Sequence, residues 1–176
     1  MPRLTETTFR RLFIATTVVQ GIHVFEHVVQ LYQVSVLGIP EDTALGLLGY
    51  VLQLQGTEEW LHLVFNLSYL SALVLLLVTI RGLVPDSVPR GAFAAFAFAV
   101  AWEGWHNVEH AVIISNVIVN GGCPCPGIGD VVLGISDTVL HFFYNAIAYA
   151  ATIPAFWLYI TRSTRARQPE VELARN

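Results

Sequence analysis

Residues 91–119 read GAFAAFAFAVAWEGWHNVEHAVIISNVIV. No Arg or Lys interrupts this stretch, and its only charged residues are Glu103 and Glu109. At ~1.5 Å rise per residue, a helix of this length exceeds the ~30 Å hydrocarbon core of a bilayer. Lipid offers backbone polar groups no partners, so the stretch must be a helix or a barrel strand. Its apolar residues run on without alternating, which selects the helix. Three other stretches read the same way, giving Leu12–Val36, Leu61–Ile80, Gly91–Val119 and Val131–Ile160 in chain order. The expected fold is an all-α integral membrane protein, a bundle of four transmembrane helices.

The composition of the 176 residues agrees, with 55% hydrophobic and 12% charged residues and a mean hydropathy of +0.60. Soluble domains carry about 25% charged residues. A soluble globular domain and a disordered chain are therefore disfavoured. The net charge of −4 provides no basic surface for phosphates, so no nucleic-acid partner is expected.

The chain has no Lys, and its nine cations are all Arg. Arg3, Arg10 and Arg11 precede the first span, Arg81 and Arg90 bracket the second turn, and Arg162, Arg165, Arg167 and Arg175 follow the last span. By the positive-inside rule both termini and the 81–90 turn are cytoplasmic. The expected organisation is a cytoplasmic N-terminus (1–11), a first helical hairpin (12–80), a cytoplasmic turn (81–90), a second hairpin (91–160) and a polar, fraying cytoplasmic tail (161–176). The first apolar run has no small-x-small site at its end, so a cleaved signal peptide is not expected. The expected location is a bacterial or archaeal cytoplasmic membrane.

Polar residues reveal a duplication. His23-x-x-Glu26-His27 returns as His106-x-x-Glu109-His110 at an offset of 83. Glu58-x-x-x-His62-x-x-x-Asn66 returns as Asp137-x-x-x-His141-x-x-x-Asn145 at an offset of 79. Gln20 pairs with Glu103 and Gln33 with Asn116, again at 83. The two hairpins thus read as parallel repeats about an axis along the membrane normal. All six His of the chain lie in this pattern. At ~100° per residue each group falls on one helix face. The helical rise places the four groups at about 18–32 Å from the Arg-marked ends, one level in the outer half of the bilayer.

Ionisable groups in hydrocarbon are costly and functional by default. Carboxylates brought together without a cation would repel or take up protons, and a metal resolves the conflict. Imidazole with carboxylate suits iron, zinc, manganese or copper, and iron is favoured. The expected ligands of two ions are His23, Glu26, His27, His62, His106, Glu109, His110 and His141. Glu58 and Asp137 are expected to ligate or move protons in catalysis, with Asn66, Asn145 and Glu103 as weak ligands or supports for an imidazole tautomer. Glu59 is set aside, because its repeat counterpart is Thr138. Gln20, Gln33 and Asn116 read as interhelical hydrogen-bonders.

In ligand chemistry the pattern resembles the di-iron and di-manganese four-helix bundles, in which Glu and His project inward from four helices. Those proteins use Glu-x-x-His with more carboxylate, and the larger His boxes of membrane hydroxylases and desaturases are missing here. His-x-x-Glu-His also matches the inverted zinc-protease motif, but a protease needs one site rather than two symmetric copies.

The outer loops differ between the halves. Residues 121–127 read GGCPCPG, and Cys123 and Cys125 are too close in sequence to close a disulfide comfortably. A stiff lid is the favoured reading, against a redox-active disulfide or a soft-metal docking point. In the first half, 43–55 has apolar residues at helical spacing and suggests a short interfacial helix.

The favoured function is a membrane di-metal oxidoreductase of oxygenase or oxidase type, acting on a hydrophobic small molecule with a redox partner. A transition-metal transporter and a b-type haem electron-transfer protein are the alternatives. Against transport, the spans below the site read as AFAAFAFAV and LVLLLV, with no polar route. Small-xxx-small pairs such as Ala97 and Ala101 could pack helices within the chain or in a homo-oligomer.

Overall fold

The computed structural model describes the backbone of residues 4–53, 58–83, 89–120 and 126–173, and the side chains of these except at 58, 81–83 and 162–173. The described residues are 88% helix with no strand. Four long helices carry the architecture: α1 (Glu6–Ser35), α3 (Glu58–Leu83), α4 (Arg90–Val119) and α6 (Asp137–Leu173). Two short ones, α2 (Gly46–Leu52) and α5 (Ile128–Leu133), follow α1 and α4. A short helix expected within 43–55 is present as α2, entered through a 3-10 turn at Glu41–Thr43.

Local chemistry sets the boundaries. Thr5 caps α1, its hydroxyl accepting from the Thr8 N–H at 3.2 Å. This satisfies one orphan donor of the first turn, and α1 accordingly begins at Glu6, before the expected Leu12. The fourth apolar stretch does not begin a long helix at Val131. Gly134 takes a left-handed φ of +63° and its N–H returns to the Asp130 carbonyl. That cap ends α5, and the long helix restarts at Asp137. The tail expected to fray is helical as far as Leu173.

Glu6–Ser35, Glu59–Ile80 and Asp137–Thr161 are each long and apolar enough to cross a membrane. Among the described residues α4 does not join them, although it is 30 residues long. Its middle carries Glu103, His106, Asn107, Glu109 and His110, all buried within the bundle.

The long helices pack in a ring, α1 against α3, α3 against α4, α4 against α6 and α6 against α1. The core fills the end of the bundle where α1 and α4 begin. Phe9, Phe13, Leu73, Leu76, Ile80, Phe96, Ala155 and Tyr159 are buried there. Phe13 stacks on Phe96 at 5.5 Å and meets Phe156 edge-on at 5.2 Å, while Phe9 meets Tyr159 edge-on at 4.9 Å. Such aromatic pairs contribute about 0.5–1.5 kcal/mol each beyond area burial. Between helices in lipid, where tails are as apolar as Leu, packing of this kind supplies much of the attraction. The opposite end of the bundle is polar inside, and α2 and α5 lie over it.

Candidate metal centre

Helical periodicity brings His23 and His27 onto one face of α1, one turn apart, and His62 on α3 meets them. Their ring centroids lie 4.6, 5.7 and 5.4 Å apart. His106 and His110 on α4 meet His141 on α6 in the same way, at 4.8, 5.4 and 4.6 Å. Within each group, one ligand nitrogen per residue lies within 4.8 Å of the others, so each of these two His triads could hold a metal ion. The triads adjoin. His62 lies 5.7 Å from His110, and His27 lies 6.3 Å from His141. The six imidazoles expected to converge do so.

The nitrogens are arranged for a cation. The Nε2 atoms of His23 and His27 face each other at 3.2 Å. Two nitrogens on one tetrahedral ion at ~2.0–2.1 Å lie about 3.3 Å apart. In the second triad, Nε2 of His106, His110 and His141 is buried with no hydrogen-bond partner. Each such orphan costs about 1–3 kcal/mol, and an ion would satisfy all three.

Carboxylates stand behind the second triad. Asp137 Oδ1 lies 3.0 Å from His141 Nδ1, Glu59 Oε2 lies 3.4 Å from His110 Nδ1, and Glu103 Oε2 lies 3.5 Å from His106 Nδ1. Glu59 is the residue that repeat logic set aside. The Glu59-x-x-His62 spacing was the available signal, yet the partner is His110, on a different helix. The side chain of Glu58 lies outside the described residues.

Glu26 and Glu109 each commit one oxygen to a short outer helix, and Glu109 Oε2 has no hydrogen-bond partner. Glu26 Oε1 accepts from the backbone N–H of Leu48 at 2.5 Å and of Gly49 at 3.3 Å, while Gln33 Oε1 accepts from Gly46 at 2.9 Å. Glu109 Oε1 accepts from the Gly129 N–H at 2.6 Å. Neither carboxylate belongs to the His groups, and each binds the short helix over its own half. The sequences of α2 and α5 accommodate this. Gly46 has φ +70°, and a Cβ there would strike the Glu26 carboxylate. A Cβ at Gly129 would strike Leu140 and crowd the Tyr144 hydroxyl.

A second polar layer lies one turn beneath the triads. Gln20 Nε2 donates to Asn145 Oδ1 at 2.9 Å, and Asn145 Nδ2 donates to the His141 carbonyl at 3.0 Å. Asn145 therefore supports His141 through the backbone. Asn107 Nδ2 donates to Glu103 Oε1 at 3.2 Å. Asn66 is fully buried, and neither of its amide atoms has a hydrogen-bond partner.

Aromatic rings flank both triads. Phe65 lies against His23 at 4.1 Å, and Tyr144 stacks on His106 at 4.9 Å. These two rings share the offset of 79, and each stands three positions after a His on its own helix, a spacing the polar pattern alone does not single out. The Tyr144 hydroxyl accepts from Trp105 Nε1 at 3.1 Å, and Trp105 is 43% exposed on the outside of the bundle. Cys123 and Cys125 lie outside the described residues.

Comparison with protein-family models, with curated proteins and with solved structures finds no match to this chain, so the centre must be read from its own geometry.

Proposed function

We propose that the chain is an integral-membrane metalloprotein, a bundle of four membrane-crossing helices with two ions held by His23, His27 and His62 and by His106, His110 and His141. We further propose that it is an oxidoreductase of oxidase or oxygenase type acting on a lipid-soluble substrate, with iron as the favoured ion. The observation that carries this reading is the pair of adjoining His triads, in the second of which all three buried Nε2 atoms lack a protein partner.

A pair of redox ions so placed would pass electrons from a reductant to dioxygen. The surrounding residues would orient the imidazoles and handle protons. Asp137 and Glu103 sit on His141 and His106, where they can fix a tautomer. Trp105 and Tyr144 connect His106 to the outer face of the bundle, the side from which a hydrophobic molecule would approach. Glu26 and Glu109 hold α2 and α5 over the centre.

The transport alternative needs a continuous polar path. The polar layer at Gln20, Asn66 and Glu103 reaches further than the spans suggested, but the packed rings of Phe9, Phe13, Phe96 and Tyr159 close it. A haem needs a flat slot between axial imidazoles, and rings crowded to 4.6–6.3 Å speak against one.

The test is oxygen uptake by the iron-loaded protein in lipid nanodiscs, with a lipid-soluble quinol as reductant. Uptake that disappears in His141→Ala is expected. Iron or zinc accumulation inside proteoliposomes, without oxygen uptake, would replace the reading with transport.

A further inference from the structure

The two triads look equivalent when only their histidines are counted, but their surroundings differ. Every histidine of the second triad has a carboxylate oxygen facing its Nδ1, at 3.0, 3.4 and 3.5 Å. Nδ1 of His141 also meets the Asp137 carbonyl at 2.9 Å. A carboxylate at Nδ1 favours the tautomer protonated there and leaves the Nε2 lone pair for an ion. All three Nε2 atoms of this triad are buried without a hydrogen-bond partner, and Nδ1 of His106 and His110 meet their carboxylates at ion-pair distance without a hydrogen bond.

The first triad lacks this ring of acids among the described residues. The polar side chain set against His27 is the neutral amide of Gln30, and Nδ1 of His27 has no hydrogen bond. His23 meets the Phe65 ring and the His27 nitrogen. Glu59 and Asp137 act on His62 only through space. The sequence accounts for two of the three acids. The repeat counterpart of Glu103 is Gln20, and that of Glu59 is Thr138. The counterpart of Asp137 is Glu58, whose side chain lies outside the described residues, so duplication preserved the ligands and changed two of the three groups behind them.

Resting on the metal reading above, we infer that the two sites are unequal. His106, His110 and His141, backed by Glu103, Glu59 and Asp137, form a tight site that keeps its ion. His23, His27 and His62 form a weaker, exchangeable site beside it. Loss of a carboxylate behind a ligating imidazole typically weakens metal binding 10–100-fold, which sets the scale of the difference.

The experiment is a zinc titration of metal-stripped full-length protein in nanodiscs against a chromophoric chelator. Two zinc ions should bind in steps at least about tenfold apart in affinity. His110→Ala should remove the tight step and His27→Ala the weak one. Glu59→Gln and Glu103→Gln, which preserve shape, should each weaken the tight step about 10–100-fold and spare the weak one. Helix content by circular dichroism verifies that each variant is folded. Two ions of equal affinity, or a tight step that vanishes in His27→Ala and survives in His110→Ala, would overturn the inequality and leave the metal reading standing. A folded chain that binds no zinc would overturn both.

Discussion

The fully buried side chain of Glu109 accepts the backbone N–H of Gly129 at 2.6 Å. It thereby fastens α5, 20 residues further along the chain, over the second His triad. Glu26 does the same for α2 through Leu48 and Gly49. A carboxylate inside each His-x-x-Glu-His repeat thus acts as the fastening of a short outer helix, and this assignment can be separated from metal ligation by experiment.

Glu26→Gln and Glu109→Gln should retain two ions per chain, because the imidazoles supply the ligands. Each should lose about 1–3 kcal/mol of stability, the scale of a hydrogen bond to a charged acceptor. Chelator-driven metal release should be faster in both variants, because the outer helix is less firmly held. A drop to one ion per chain in either variant would show that the carboxylate ligates.

Gly46 and Gly38 provide a controlled comparison. Both have left-handed backbones, φ +70° and +67°, but a Cβ at Gly38 meets nothing within 4 Å, whereas at Gly46 it meets the Glu26 carboxylate. Ala at a positive φ costs roughly 1 kcal/mol or more. Gly46→Ala should therefore be more destabilising than Gly38→Ala in thermal unfolding, and the excess should shrink in a Glu26→Ala background. Equal losses would mean that the close approach of α2 to Glu26 contributes nothing.

Asp130, on α5 outside the membrane-crossing segments, has its carboxyl pushed up to about 6. Burial is the main cause, and the charges of Asp137 and Glu109 add to it. A raised carboxyl binds its proton more tightly in the folded chain than in the unfolded one, so folding loses stability as pH rises from the ordinary carboxylate range through about 6. Asp130→Asn removes this loss. The melting temperature of the variant should exceed that of the parent at pH 7 and the two should converge toward pH 4. A difference independent of pH would refute the assignment.

Much of this arrangement was legible in the sequence. The apolar stretches announced long helices, and the 83 and 79 offsets announced two His groups, since i, i+4 spacing puts His23 and His27 on one face regardless of tertiary detail. The break at Gly134 was not legible, because Val131–Leu133 are as apolar as the helix that follows. The backbone partners of Glu26 and Glu109 were hidden for a different reason. A helix face is about a third of a turn wide, and whether a carboxylate on it also accepts from a neighbouring backbone depends on the short helices packed above. The repeat does not reveal Glu59, because its counterpart is Thr138 and the acid beside His110 is recruited from one half alone.

The most direct test of the central claim is elemental analysis of the full-length protein purified in a membrane mimetic without chelators. Two transition-metal ions per chain are expected, falling to one in His27→Ala and in His110→Ala. A folded protein with no iron, zinc, manganese or copper above background, unable to take any up on addition, would contradict the account.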